Sequence, residues 1–361
     1  MILIIHRCYS TMSHNILITG GSGYLGGDLL ARWDKANFPP YGKLYALVRT
    51  DAQAEAVKKY GAVPLSFNAK DEAAVRSAVV ENNISVVYYL IDPLHFDAPS
   101  HFIKALAEVK KNTDREVHFL HTTGAKLFSS HAGAPNDKPL FDTDPDLYNI
   151  QKSQKTPHEM MRIGVETNCS IIEEAEKHGV RSYIFAPCIV YGKSEGFGNP
   201  LSKQTVAVVR AAVALKHVYR VDTGKPTWPV CHVADNTSLY VELLCKILAD
   251  ETPGYGKNGY YLAASGSVAW DDIYAAMATA LAKRNIIPDD RVVTANNEVL
   301  EHLGQALGIT KELVPVTVGG NCTFTAARGE KELGWKPLYK PQHILEDADA
   351  EVQRILEKSE A

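Results

Sequence analysis

The chain has 361 residues, a net charge of −4 and a pI near 6.4, a balance that argues against a nucleic-acid-binding or polybasic membrane-binding surface. Apolar residues make up 45% of the chain and charged residues 22%, as is ordinary for a globular protein with a substantial core. No apolar run approaches the roughly 20 residues that a membrane-spanning helix needs.

Residues 1–13 (MILIIHRCYSTMS) are predicted to be an extension, because the regular alternation of elements begins directly after them. They hold no acidic residue, but their apolar run is too short to argue strongly for a targeting peptide. The six cysteines are scattered without a C-x-x-C pair, which suits reduced thiols better than a disulfide framework or a zinc site. We therefore predict a cytoplasmic protein.

Short apolar runs alternate with amphipathic stretches through the first half of the chain. The apolar runs are NILITG, KLYALVR, AVPLSF, SVVYYLI and EVHFLHTT, and a further helix and strand follow in NCSIIEEAEKHGV and RSYIFAPCIVYG. Each apolar run followed by a helical pattern indicates a βαβ unit with a parallel sheet buried on both faces. Residues 14–192 are thus predicted to be an α/β, Rossmann-type doubly wound domain that binds NAD(P) at the carboxyl ends of its strands.

The pattern changes after residue 192, where a Gly-rich stretch, GKSEGFGNP, precedes longer helices. Residues 193–232 and 253–350 are predicted to form a smaller C-terminal substrate-binding lobe. The intervening helical stretch, 233–252, is predicted to return to the main domain.

The first predicted turn, in ILITGGSGYLGGDLL, has the spacing Thr-Gly-x-x-Gly-x-x-Gly between a strand and a helix. Glycines in this context allow a tight turn, a close approach of a pyrophosphate to the backbone and close packing of the helix on the strand. The helix N-terminus offers free N–H groups to the phosphates. No Gly-Lys-Ser/Thr follows, so a P-loop is excluded. The predicted cofactor contacts of this turn are Thr19, Gly20, Ser22, Gly23, Tyr24, Leu25 and Gly26.

The end of the second predicted strand distinguishes NAD from NADP. An acid there would bind the ribose hydroxyls of NAD, whereas an arginine suits the 2′-phosphate of NADP. Arg49 is the first residue of this kind after the strand, and Asp51 lies two positions further on. NADP(H) is therefore favoured over NAD(H). Asn68, after the third strand, is predicted to contact the adenine.

Further motifs support a family resemblance. FAPCIVYG is similar to R-P-x-x-V-Y-G, with Pro187 and Val190 in place and Ala186 where arginine is usual. WPVCHVADNTS is similar to an H-V-x-D segment, and KELGWKP to L-G-W-x-P. With the glycine turn, these motifs resemble the extended short-chain dehydrogenase/reductase family, in its NAD-dependent epimerase/dehydratase group, over residues 14–350. Several stretches resemble uncharacterised fungal members. Pro187 and Val190 are then expected at the cofactor.

The resemblance implies a catalytic Tyr, Lys and Ser or Thr. In this family a tyrosine hydroxyl transfers a proton to or from the substrate oxygen, and a lysine lowers the tyrosine pKa and holds the nicotinamide ribose. The one Tyr-x-x-x-Lys of the chain is Tyr148 and Lys152, and Thr123 at the end of a predicted strand is the matching hydroxyl. Thr122 is the fallback, because neighbouring strand residues face opposite sides.

Two alternatives remain open for this site. The interval from Lys152 to the AP turn is 34 residues, longer than the family's connecting helix, and counting back from the turn places His158 and Arg162 where tyrosine and lysine would stand. Aligning LF at 127–128 with the family's V-Y places Gly124 at the Ser/Thr position.

Together these features predict an NADP(H)-dependent oxidoreductase that acts on a carbonyl or alcohol group of a small organic molecule. The alternatives are an NAD-dependent sugar-nucleotide epimerase or dehydratase and a non-catalytic NADP-binding sensor or scaffold. A small-molecule substrate is expected, with neither a nucleic acid nor a membrane as partner, and a homodimer is left open. No metal site is predicted, because His118 and His121 face opposite sides of one strand.

Overall fold

The computed structural model describes residues 13–360, so the predicted extension lies outside the described residues apart from Ser13. The strands are β1 (Asn15–Ile18), β2 (Leu44–Leu47), β3 (Val63–Leu65), β4 (Ile84–Tyr89), β5 (His118–Thr122), β6 (Leu140–Phe141), β7 (Arg181–Pro187), β8 (Ile189–Tyr191), β9 (Val218–Arg220), β10 (Thr227–His232), β11 (Tyr260–Ala263), β12 (Gly266–Ala269), β13 (Val292–Thr294) and β14 (Phe324–Thr325). The helices are α1 (Tyr24–Ala31), α2 (Asp51–Lys58), α3 (Glu72–Glu81), α4 (Asp97–Thr113), α5 (Leu147–Ser153), α6 (Glu159–His178), α7 (Gln204–Leu215), α8 (Val233–Leu248), α9 (Trp270–Lys283), α10 (Asn297–Leu307), α11 (Leu313–Val318), α12 (His343–Glu346) and α13 (Ala348–Glu360).

A seven-stranded parallel sheet forms the centre of the molecule, with the order β11-β7-β5-β4-β1-β2-β3. Its inner strands are buried along their length because helices cover both faces, as the continuous apolar runs predicted. Helices α3, α4 and α6 pack side by side, and α1 packs against α8. The predicted doubly wound parallel fold is confirmed. Within the described residues no helix is both long and apolar enough to cross a bilayer.

Two strands lie in other sheets than the predicted boundaries imply. β11, which the prediction assigned to the smaller lobe, is an edge strand of the central sheet and pairs in parallel with β7. Its four residues, YYLA, are all buried. They lie in a Gly-, Pro- and Asn-rich region, so the sequence pattern there indicated turns and not a strand. Conversely, β8 leaves the central sheet and forms a three-stranded sheet with β10 and β12. The chain therefore passes from the central sheet to the three-stranded sheet directly after Pro187.

Candidate active site

The turn between β1 and α1 requires glycine at two positions for steric reasons. Gly20 has φ +75°, and a Cβ there would meet the carbonyl oxygen of Leu90 at 2.8 Å. A Cβ on Gly26 would meet the Gly20 carbonyl oxygen at 2.5 Å, so the helix lies directly on the turn. α1 begins after Gly23, which supplies no side-chain cap to the first N–H groups of the helix. These N–H groups can therefore bind an anion such as a pyrophosphate.

A cavity of about 550 Å³ opens beside this turn, at the carboxyl ends of the central strands. Gly20, Gly23, Tyr24, Leu25 and Gly26 form one side of it. Pro187 and Val190 also border it, so seven of the predicted cofactor contacts share a single cavity. Its position matches the site expected for a ligand in an open parallel sheet.

Two residues of the turn have structural contacts instead. The hydroxyl of Thr19 donates to the Tyr88 carbonyl oxygen at 3.3 Å and accepts from the Leu90 amide at 2.9 Å, so it ties β1 to β4. The carbonyl oxygen of Ser22 accepts a hydrogen bond from the Asn199 amide at 3.0 Å. Neither Thr19 nor Ser22 borders the cavity, so their contacts with a cofactor stay predictions.

Residues 194–199, which we call the covering segment, pack against the glycine turn and the start of α1. A Cβ on Gly196 would meet the Gly27 backbone at 2.5 Å, so the two backbones touch. The buried carboxylate of Asp28 fixes this contact, since it accepts hydrogen bonds from the Glu195 amide at 2.9 Å and from the Thr237 hydroxyl at 2.7 Å. The cofactor turn is thereby held by chain segments distant in sequence.

Arg49 and Asn68 follow β2 and β3 at the edge where the prediction placed them. The Arg49 guanidinium is exposed and has no hydrogen bond or ion pair with another residue in the range 13–360. Asn68 is also exposed, and its side-chain oxygen accepts from the Lys70 amide at 3.0 Å. Neither residue borders the cavity, so their contacts with a cofactor stay predictions.

The structure does not bring Tyr148 and Lys152 to the cavity. The Tyr148 hydroxyl donates to Glu173 at 2.5 Å, and the Lys152 ammonium donates to the same carboxylate oxygen at 2.6 Å. Glu173 stands twelve positions after Met161, the last residue of α6 that borders the cavity, and this separation corresponds to about 18 Å along the helix axis. Their spacing suits the family mechanism, but the pair forms a polar cluster on the side of α6.

The electrostatics of this pair also oppose the expected role. Burial, together with the hydrogen bond to Glu173, raises the pKa of Tyr148 to about 12, whereas the mechanism needs a lowered tyrosine pKa. The hydrogen bond to Glu173 raises the pKa of Lys152 as well. The geometry therefore gives no support to the predicted catalytic role of Tyr148 and Lys152, or to a cofactor contact of Lys152.

Replacing Tyr148 with phenylalanine is expected to leave kcat and KM within about twofold of the parent, because the hydroxyl is remote from the cavity. Steady-state kinetics with Thr123→Val as the comparison variant check this, since Thr123 borders the cavity. A tenfold loss in Tyr148→Phe with an unchanged thermal transition would place Tyr148 back in the reaction.

The alternative pair, His158 and Arg162, is also absent from the cavity wall. His158 precedes α6 and packs edge-on against His131, with 6.0 Å between the ring centroids. Arg162 is exposed and pairs with Glu166 at 2.8 Å. The residues that α6 does present to the cavity are Met160 and Met161.

The two adjacent threonines at the end of β5 differ in their partners. The Thr122 hydroxyl is hydrogen-bonded to the Tyr240 hydroxyl at 2.8 Å. The Thr123 hydroxyl is buried in the cavity wall without a hydrogen-bond partner among the described residues. A buried free hydroxyl is costly unless a ligand satisfies it, which fits a substrate or cofactor oxygen at this point. Gly124, the other candidate, has no side chain to serve that oxygen.

Lys126 is a candidate functional group that the sequence did not indicate. It lies on the short turn 125–128 after β5 and borders the same cavity as Thr123. Its ammonium donates to the Thr317 carbonyl oxygen at 3.3 Å. Burial, and secondarily the nearby Lys203, lowers the pKa of Lys126 to about 8. The sequence feature that could have indicated Lys126 is a single lysine within the apolar stretch GAKLF, directly after a predicted strand.

Known proteins resemble this chain in sequence and in fold. The model of the "NAD dependent epimerase/dehydratase family" matches residues 16–254. The oxidase ucsJ of Acremonium sp is 21% identical over 362 residues, which cover 96% of this chain and 99% of the relative. UDP-glucose 4-epimerase from Thermotoga maritima, solved with UDP-glucose, has a TM-score of 0.62 at 12% identity, covering 95% of this chain and 99% of that one. dTDP-glucose 4,6-dehydratase from Bacillus anthracis, solved with NAD, has a TM-score of 0.61 at 12% identity, covering 95% and 97%.

At these identities the two solved structures establish a shared fold. The family match covers well over half of the chain and includes the glycine turn, β5 with Thr123, and the strand that ends at Pro187. The motif-based prediction of the family is confirmed. The chain belongs to the NAD-dependent epimerase/dehydratase family.

Proposed function

We propose that this protein is a nicotinamide-dependent oxidoreductase acting on a carbonyl or alcohol group of a small organic molecule. The observation that carries the proposal is the placement of Lys126, with a pKa near 8, and the unpaired Thr123 hydroxyl in the cavity that the glycine turn borders. A proton donor and a hydrogen-bond donor at one site are what a substrate oxygen requires as its charge changes.

The residues present fit a dinucleotide. A Cβ at Gly26 would fill the space between turn and helix, and the uncapped N-terminus of α1 faces the cavity with Gly23 and Tyr24. These residues would hold the pyrophosphate. When bound, the nicotinamide supplies or accepts the hydride.

Lys126 and Thr123 would handle the proton and the charge on the substrate oxygen. In the reducing direction the Lys126 ammonium gives a proton to the carbonyl oxygen, and the neutral amine regains one from solvent. The Thr123 hydroxyl donates a hydrogen bond to that oxygen. In the oxidising direction the neutral amine accepts the proton of the alcohol. A pKa near 8 suits both directions close to neutral pH.

A sugar-nucleotide epimerase or dehydratase is the second candidate, because the solved relatives bear these names. Such a reaction needs cationic groups for a diphosphate. Of the basic residues between 193 and 230, Lys203 borders the cavity, while Arg220 pairs with Asp271 at 2.8 Å. The other basic residues of this segment do not border the cavity, which favours the oxidoreductase.

Incubation of the purified protein with NADPH or NADH and a panel of aldehydes and ketones tests the proposal. We expect substrate-dependent loss of the reduced-nicotinamide absorbance and recovery of the alcohol. Conversion of UDP-glucose with no net change in the cofactor would support the epimerase instead. Cofactor binding with no turnover in either assay would support the sensor or scaffold.

We also propose that NADP(H) is the preferred cofactor, through Arg49. Arg49→Ala is expected to weaken NADPH binding by about tenfold and leave NADH binding unchanged, since one charge-assisted contact is lost. Dissociation constants from fluorescence titration measure this. Lys59→Ala removes a charge at the far end of α2 and serves as the control. Equal effects of Arg49→Ala on both cofactors would refute the assignment.

A further inference from the structure

The cavity has a chemically uneven lining. Beyond the glycine turn, its wall is formed largely by apolar side chains: Ile91, Leu94, Leu127, Met160, Met161 and Trp228. Two of them keep much of their surface accessible, since Ile91 is 44% and Met160 is 42% exposed. Large apolar surface that stays accessible inside a concave site favours burial by an apolar ligand.

The apolar wall depends on a glycine in α6. A Cβ on Gly164 would meet the methyl groups of Leu127 at 2.8 Å and of Leu94 at 3.3 Å. The missing side chain therefore lets these two leucines pack onto the helix. One turn earlier, Met160 and Met161 extend the same surface toward the cavity.

Outside the glycine turn, the polar side chains that border the cavity are those of Thr122, Thr123, Lys126, Asn199, Lys203 and Gln204. Among the described residues that border the cavity, Lys126 and Lys203 carry charge and none is acidic. A sugar ring against the methionines and leucines would leave several hydroxyls without hydrogen bonds, which is costly. A single carbonyl oxygen, by contrast, would be satisfied by Lys126 and Thr123.

We infer that the substrate is an apolar carbonyl compound, or the corresponding alcohol, whose hydrocarbon body lies on Met160, Met161 and Leu127. The inference rests on the proposed function and names its substrate class. Methionine suits this role because its unbranched thioether adapts to ligands of different shape. Met160 is the specificity residue, since it is the more accessible of the two methionines.

A homologous series of straight-chain aldehydes tests the inference, with UDP-glucose as the polar comparison. We expect kcat/KM to rise by about threefold to fourfold per added methylene until the wall is covered. Met160→Gln, close to methionine in size, should raise KM for long aldehydes by about tenfold more than it raises KM for acetaldehyde. Leu338→Gln changes an exposed apolar side chain outside the cavity and should retain the parent profile.

The outcomes separate this inference from the proposed function. Chain-length-independent turnover, or a Met160→Gln effect equal for short and long aldehydes, would overturn the apolar substrate and leave the oxidoreductase standing. Calorimetry of the cofactor-loaded protein supplies a second measurement. Binding of long-chain ketones that tightens with chain length, without turnover, would support the apolar site and refute the proposed reaction. Tighter binding of UDP-glucose than of every apolar probe would refute the inference.

Discussion

Substituting methionine for Lys126 is expected to lower kcat/KM for carbonyl reduction by about 10²–10⁴-fold, the range typical of general acid–base groups. Methionine has a similar length and apolar stem, so the cavity should keep its shape. The substrate oxygen would then receive neither a proton nor a charge-stabilising contact from position 126. Cofactor affinity should change little, because the glycine turn is intact. Kinetics and cofactor titration on the same preparation separate the two effects.

The pH dependence of kcat/KM shows which protonation state of Lys126 is active in each direction of the reaction. In the reducing direction the protonated amine is active, so kcat/KM of the parent should be level below about pH 8 and fall as Lys126 loses its proton. In the oxidising direction the neutral amine is active, so kcat/KM should rise with pH and level off above about pH 8. Lys126→Arg keeps the charge but has no titration near pH 8, so its profile should lose this limb. A limb that persists in Lys126→Met would assign the titration to another group.

Gly26→Ala is the second substitution with a large expected effect. The new methyl group would stand 2.5 Å from the Gly20 carbonyl oxygen and 2.9 Å from its carbonyl carbon. Both are backbone atoms, so relief requires movement of the turn or the helix. Overpacking of this kind costs about 1–3 kcal/mol, and the displaced N–H groups should weaken NADPH binding by at least tenfold. Thermal unfolding and NADPH titration measure the two consequences.

Gly124→Ala is the matched control for this substitution. Gly124 also borders the cavity, but a Cβ there has nothing within 4 Å and its backbone is extended. We expect unchanged cofactor affinity and an unchanged or slightly raised melting temperature. If both variants lose NADPH equally, the steric explanation for Gly26 fails.

The fold was predictable because its signals are local. Each inner strand is a continuous apolar run, and each is followed by a helical period, so the parallel sheet follows from the sequence pattern. The edge strand β11 was not predicted, because four buried residues between turn residues are too few to show a strand or helix period. Its assignment depends on a pairing with β7, some 75 positions away, and a sequence pattern cannot show such a pairing.

More of the predicted cofactor residues than of the predicted catalytic residues border the cavity. The strand, glycine spacing and helix lie together in the sequence, so the pattern could place Gly20, Gly23 and Gly26 at one turn. Tyr148 matched its motif in spacing, yet α5 packs beside a distant part of α6, and tertiary packing turned the hydroxyl toward Glu173. Lys126 carried no motif. The lowered pKa of Lys126 arises from desolvation, and desolvation depends on neighbours in space that the sequence does not reveal.

The covering segment has a consequence for how the protein matures. Glu195 and Thr237 reach the ribosome exit long after the glycine turn, yet both bind the buried Asp28 carboxylate behind that turn. Until residue 237 has been synthesised, Asp28 lacks two of its three hydrogen-bond partners, and an unsatisfied buried charge is strongly unfavourable. The nucleotide-binding half therefore cannot complete its cofactor site until the segment up to Thr237 has left the ribosome. Cofactor binding is expected only after about two thirds of the chain has emerged.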